Sequence, residues 1–202
     1  MKYRIFFGIL LFNIYLPFRA QPGTEMEFVK ICLQNSLAFS PPDSFIYTPP
    51  IQNPDLYYQY ALKHQTRDFE IRFSVWPLKE FIKEYEKSLN DPGITLLNPN
   101  TYHKNSAIAT LLNISQIDPN SGMLPELVPF PKNAVKQEFN ADFGASVFLP
   151  VNSEFSKGYQ FALFMVLHKE NQADLFIIFL GNKKEDFDQL LLKGFYALKF
   201  AP

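Results

Sequence analysis

The sequence predicts an α+β fold: a mainly antiparallel sheet covered by helices on both faces. Three observations carry that reading. First, two apolar runs at 161–167 and 175–180, rich in Phe, Val and Ile, flank one polar break, His168 to Asp174. Short apolar runs bounded by turn residues fit strands covered on both sides. Second, residues 69–76 alternate: Phe69, Ile71, Phe73 and Val75 on one face, Glu70, Arg72, Ser74 and Trp76 on the other, which is strand periodicity. Third, helical stripes at 78–89, 102–114 and 183–200 fall between and after the strand groups. Strands joined by tight turns run antiparallel, and strand groups with helices between them make an α+β domain.

The elements follow in order. Residues 21–37 open on Met26, Phe28, Ile31, Cys32 and Leu33, compatible with a short strand or a helical turn. Phe45-Ile46-Tyr47 is a short strand with Pro on both sides, which suits a sheet edge. Residues 57–63 and 69–76 form a hairpin about the turn 64–68. Leu78, Phe81, Ile82, Tyr85 and Leu89 recur at three- and four-residue spacing and predict a helix with a buried stripe. Its other face carries Lys79, Glu80, Lys83, Glu84, Glu86 and Lys87, a solvated surface. Asn98-Pro99-Asn100-Thr101 starts the next helix, 102–114, with His103 at a surface position of its first turn. A proline-rich loop covers 118–131, and 131–139 is a short helix. Residues 146–151 are a strand and 152–158 a turn before the central hairpin. The last helix, 183–200, buries Phe187, Leu190, Leu191, Gly194, Phe195 and Leu198.

Composition narrows the class. The chain is 47% hydrophobic with 22 Phe and 10 Tyr, ample for a core without disulfides. Sixteen Pro against 8 Gly indicates rigid loops. Cys32 is the sole cysteine, and its apolar context makes it a buried small residue. Residues 1–20 read as a secretory signal. Lys2 and Arg4 supply the positive end, and 5–16 is an apolar stretch too short to span a bilayer. Cleavage after Ala20 would leave Gln21 first; Phe18 is a bulky residue at the minus-three place, and an uncleaved N-terminal anchor is the alternative. The expected organisation is a signal peptide over 1–20 and a single domain over 21–202, periplasmic or secreted. No membrane span is expected after cleavage. Taking Lys2, Arg4 and Arg19 from 19 basic residues leaves 16, against 20 acidic, a net charge of −4. A mildly acidic chain has no electrostatic reason to bind nucleic acid.

The order of elements over roughly residues 40–200 resembles the PsbP/Mog1-like α/β sandwich. The segment FNADFGASVFLP…YQFALFMVLHKENQADLFIIFL and the N-terminal signal are similar to those of exported Bacteroidetes proteins. The resemblance implies a non-catalytic accessory protein, and no functional residue carries over from it.

Searching for chemistry yields little. HExxH, CxxC, GxSxG and GxGxxG are all lacking, and His64, His103 and His168 are far apart in sequence. No metal and no cofactor is expected. One constellation stands out: His168 and Asp174 flank the turn of the central hairpin, facing each other across its mouth. A carboxylate beside an imidazole favours the charged ring and fixes its orientation. Asn140 and Asp142 precede the neighbouring strand, at the same sheet edge or at the other end. These four residues are the candidate binding site; the competing reading is a solvated turn whose Asp bonds its own backbone. Arg72 and Trp76 read either as an ion pair with Glu70 on a half-solvated face or as a ligand platform. Two function classes follow. One is an exported, non-catalytic protein binding a partner protein or envelope component. The other is a small hydrolase whose residues come from distant loops.

Overall fold

A computed structural model describes residues 24–91, 93–117 and 125–202. The expected signal peptide and residues 118–124 of the expected proline-rich loop lie outside the described residues.

The chain order is α1 (Glu25–Gln34), β1 (Leu37–Phe39), β2 (Phe45–Thr48), β3 (Tyr60–His64), β4 (Phe69–Pro77) and α2 (Lys79–Ser88). A 3₁₀ turn (Pro99–Thr101) leads to α3 (His103–Ile114), β5 (Val128–Pro129), α4 (Lys132–Phe139) and β6 (Phe143–Pro150). Then come α5 (Ser153–Ser156), β7 (Phe161–Lys169), β8 (Ala173–Gly181), α6 (Lys184–Gly194) and β9 (Leu198–Phe200). Seven strands form one antiparallel sheet in the order β2-β3-β4-β8-β7-β6-β5, and β1 pairs with β9 in a second, two-stranded sheet. The expected α+β architecture is therefore present, with the 161–180 hairpin at the middle of the large sheet.

Strand alternation sends alternate side chains to two separate cores. One face carries Ile71, Phe73, Met165, Leu175, Ile177 and Phe179 under α1, α4, α6 and the small sheet. The other carries Phe164, Val166, Phe176 and Ile178 under α3, α5 and Leu56. With apolar layers on both sides, β8 is buried throughout its length, as its unbroken apolar sequence requires.

Several expectations change. The 25–34 stretch is a helix, started by a capping box in which Thr24 Oγ1 accepts from Glu27 N–H and Glu27 takes the Thr24 N–H. The last helix stops at Gly194, and Leu198–Phe200 pairs with Leu37–Phe39 as a strand. Gly194 packs closely on β4, where a Cβ would require the Ile71 side chain to shift. β6 begins at Phe143, three residues before the expected start. The stripe of α2 is not a core stripe: Phe81 is 54% exposed and Leu89 67%. The face bearing Glu70 and Arg72 is covered instead of half-solvated, with Arg72 only 1% exposed. Cys32 is buried as expected, and burial pushes its thiol up to about 12.

Candidate functional site: an aromatic cavity over a carboxylate–imidazole row

Register places the site. Trp76 pairs with Asp174, Asp174 with His168, and His168 with Phe143. These four side chains therefore form one cross-strand row over β4, β8, β7 and β6. The hairpin is longer than its apolar runs, so His168 and Asp174 are strand residues, 2% and 4% exposed, not members of a solvated turn. His168 Nδ1 stands 2.6 Å from Asp174 Oδ1. An ionised carboxylate only accepts, so Nδ1 carries the hydrogen. The expected pair is thus formed, inside the fold.

A third member comes from α3. The His103 ring lies over the His168 ring, 4.1 Å between centroids and 14° from parallel, and packs at 4.8 Å on Phe143. His103 Nδ1 donates to the Asn100 carbonyl at 2.9 Å. Burial first, and then the charge of His168, hold His103 below the usual imidazole value. Two stacked rings this close oppose double protonation.

The β7–β8 turn fixes this arrangement. Asn171 is left-handed (φ 60°). Its N–H donates to Asn100 Oδ1 at 2.8 Å, and Asn100 Nδ2 donates back to Asn171 Oδ1 at 2.9 Å. Gln172 accepts from Leu78 N–H at 3.0 Å, just before α2. Glu170 N–H donates to Asp142 Oδ2 at 3.0 Å. The starts of α2 and α3 are thereby clipped to one turn, which sets His103 over His168.

Asp142 and Asn140 lie at this same end of the sheet, next to the β7–β8 turn and the C-terminal residues. Asp142 also pairs with Lys136 at 3.1 Å, and its carboxyl lies below its usual range although burial alone would raise it; the Glu170 N–H and Lys136 account for the reversal. Asn140 ends α4 in a left-handed conformation and donates to the Ala201 carbonyl. Their side-chain bonds run to the β7–β8 turn, to Lys136 of α4 and to the Ala201 carbonyl, and neither side chain bonds to that of His168 or Asp174.

Above Asp174 opens a cavity of about 390 Å³, walled by Trp76, Leu78, Phe81, Pro99, Tyr102, Ser106, Thr110 and Phe176 among others. Asp174 is its one ionisable carboxylate, and neither imidazole is part of its wall. Trp76 donates its indole N–H to Ser74 Oγ at 2.8 Å, so its ring presents an apolar surface. Arg72 is spent elsewhere on the sheet, so the two do not make a joint platform. Sequence reasoning missed His103 and the cavity. The available signal was the pair of polar tips, Asn100 and Asn171, but nothing in sequence order links them.

Among the described residues, no group of three or more His, Cys, Asp or Glu side chains is placed to hold a metal ion. No helix among them is long and apolar enough to cross a membrane. No protein-family model and no curated protein matches this chain.

Proposed function

We propose that this is an exported, non-catalytic binding protein of the periplasm or cell envelope whose ligand enters the cavity over Asp174. The observation that carries the reading is the wall itself: aromatic and aliphatic side chains around a single buried carboxylate. Its volume falls within the ordinary range for small-molecule sites, which are largely apolar with a few placed polar groups. The stacked imidazoles support a binding role because His168 uses Nδ1 on Asp174 and neither ring is part of the wall. A hydrolase would need a base facing its substrate. The resemblance to PsbP/Mog1-like sandwich proteins points the same way, as does the positive and apolar N-terminal stretch for export.

Trp76 is the sole tryptophan and lies on the wall, so its fluorescence reports occupancy directly. A neutral apolar dye such as N-phenyl-1-naphthylamine should bind and accept energy from Trp76. Ala109→Phe, which fills the cavity from an exposed helix position, should abolish that binding with the fold intact. Dye binding indifferent to this substitution would reject the site. Export has its own check: secreted material should begin near Gln21, and a cytoplasmic chain starting at Met1 would refute it.

A further inference from the structure

We infer that the ligand is a protonated amine on a small apolar body, with its ammonium group held by Asp174. The inference rests on the cavity being the binding site and adds the chemical class of its occupant.

Asp174 Oδ1 accepts one bond, from His168 Nδ1 at 2.6 Å. A carboxylate has acceptor capacity for about four such bonds across its two oxygens, so the cavity floor retains unused acceptor sites. The strongest donor on the wall, the Trp76 indole N–H, is directed to Ser74 Oγ. The Tyr102 hydroxyl reaches the Leu97 carbonyl at 3.4 Å. The Ser106 and Thr110 hydroxyls can each donate or accept, but Asp174 is the one group of the wall that only accepts, and its spare capacity favours a ligand that donates.

Charge narrows the class further. An ionised carboxylate beneath apolar walls is costly to leave without a counter-charge. The basic groups beside it are His168, bonded to it on the row, and His103, stacked over that ring from α3; a neutral His168 gives Asp174 a hydrogen but no counter-charge. Stacking at 4.1 Å lets at most one of them carry charge comfortably, and burial disfavours the charge on His103. Trp76, Phe81, Tyr102 and Phe176 line the same space with aromatic rings. Aromatic rings attract cations over their faces, most strongly when water is excluded. An anion would meet the carboxylate and the same negative ring faces. A plain hydrocarbon would leave Asp174 beneath it without a donor. An arylalkyl ammonium satisfies both the floor and the walls, and 390 Å³ accommodates a ligand of that size.

The test compares matched probes on the mature protein at pH 7, read by Trp76 fluorescence and by displacement of the naphthylamine dye. 2-Phenylethylamine should bind at least tenfold more tightly than 2-phenylethanol, and 3-phenylpropanoate should bind most weakly. Asp174→Asn should reduce the amine's advantage to threefold or less. Should that variant fail to fold, Ser106→Lys provides the same test from an exposed wall position, weakening the amine at least fivefold while sparing the alcohol. Equal affinity for amine and alcohol, or a preference for the carboxylate, overturns the amine class, as does an amine affinity unmoved by either substitution. Dye binding without any amine binding overturns the class and leaves the cavity reading standing. Absence of both dye and amine binding overturns the cavity reading and this inference with it.

Discussion

Arg72 and Asp174 are both buried on the same face of the large sheet, and they are treated in opposite ways. At one end, Arg72 Nε donates to Glu70 Oε1 at 2.6 Å, and its two terminal nitrogens donate to the carbonyls of Phe155 and Ser156 at 2.8 and 3.2 Å. The guanidinium sits about equally far from the Tyr58 and Phe155 rings, 5.0 and 4.9 Å. Burial, and then the charge of Glu70, push the Tyr159 phenol well above its ordinary value. Every nitrogen of Arg72 is engaged, and the space around it is filled. At the other end, Asp174 has one imidazole partner and a cavity above it. The first group ties the end of α5 to β4. The second is left with capacity that the fold itself does not use. A buried charge marks a candidate binding position when its surroundings leave acceptors or donors over, and Arg72 shows that burial alone is no such mark.

The largest expected effect breaks the saturated end. Arg72→Ala strands Glu70 and two carbonyls and should cost about 3–5 kcal/mol, the range for removing one partner of a buried pair. Urea unfolding midpoints measure it. The double change Arg72→Met with Glu70→Gln should recover a good part of the loss, because no unpaired charge remains. A loss below about 1 kcal/mol for the single variant would mean that water reaches this end and the contrast is false.

Asp174→Asn should cost less, about 1–3 kcal/mol, since the amide keeps an oxygen for His168 Nδ1 and forfeits only the charge. The ordering of the two variants sharpens the comparison: an Asp174 loss as large as that of Arg72→Ala would make the carboxylate a structural group like its counterpart.

Sequence reached these two ends unequally, for a physical reason. Alternation along 69–76 put Glu70, Arg72, Ser74 and Trp76 on one face, and register carried that face across to Asp174 and His168. Local periodicity thus revealed the strands and the pair within one hairpin. It could not say that α3, α5 and the 49–59 segment would cover that face, because cover is decided by contacts between residues distant in the chain. The same limit hid His103, whose partner lies across the sheet layer. The stripe of α2 misled in the other direction. Its spacing is that of a core helix, yet Phe81 and Leu89 are exposed, and Phe81 lies on the cavity wall. The end of the last helix was hidden too, since Leu198 and Phe200 fit a helical stripe and a strand equally well until β1 supplies a partner.

The smallest expected effect is the pH dependence that the stacked rings impose. In the folded protein His103 lies below the ordinary imidazole value of about 6.5, because burial and then His168 disfavour its charged form; the Asn100 carbonyl and Asp174 pull more weakly the other way. Between the lowered folded value and about 6.5 the unfolded chain binds more protons, so stability rises with pH across that window. It is complete above about 6.5, declines as pH falls toward the folded value, and becomes flat below it. His64 is lowered as well, by burial and then by Lys193 and Arg67, so it adds a slope of the same sign. The informative quantity is therefore a difference. His103→Phe keeps a ring over His168 and removes one titration. Urea midpoints measured between about pH 5 and 8 should fall less steeply on acidification in this variant than in the wild type. Parallel curves would mean that His103 titrates alike in both states, and the stack would then have no hold on protonation beside Asp174.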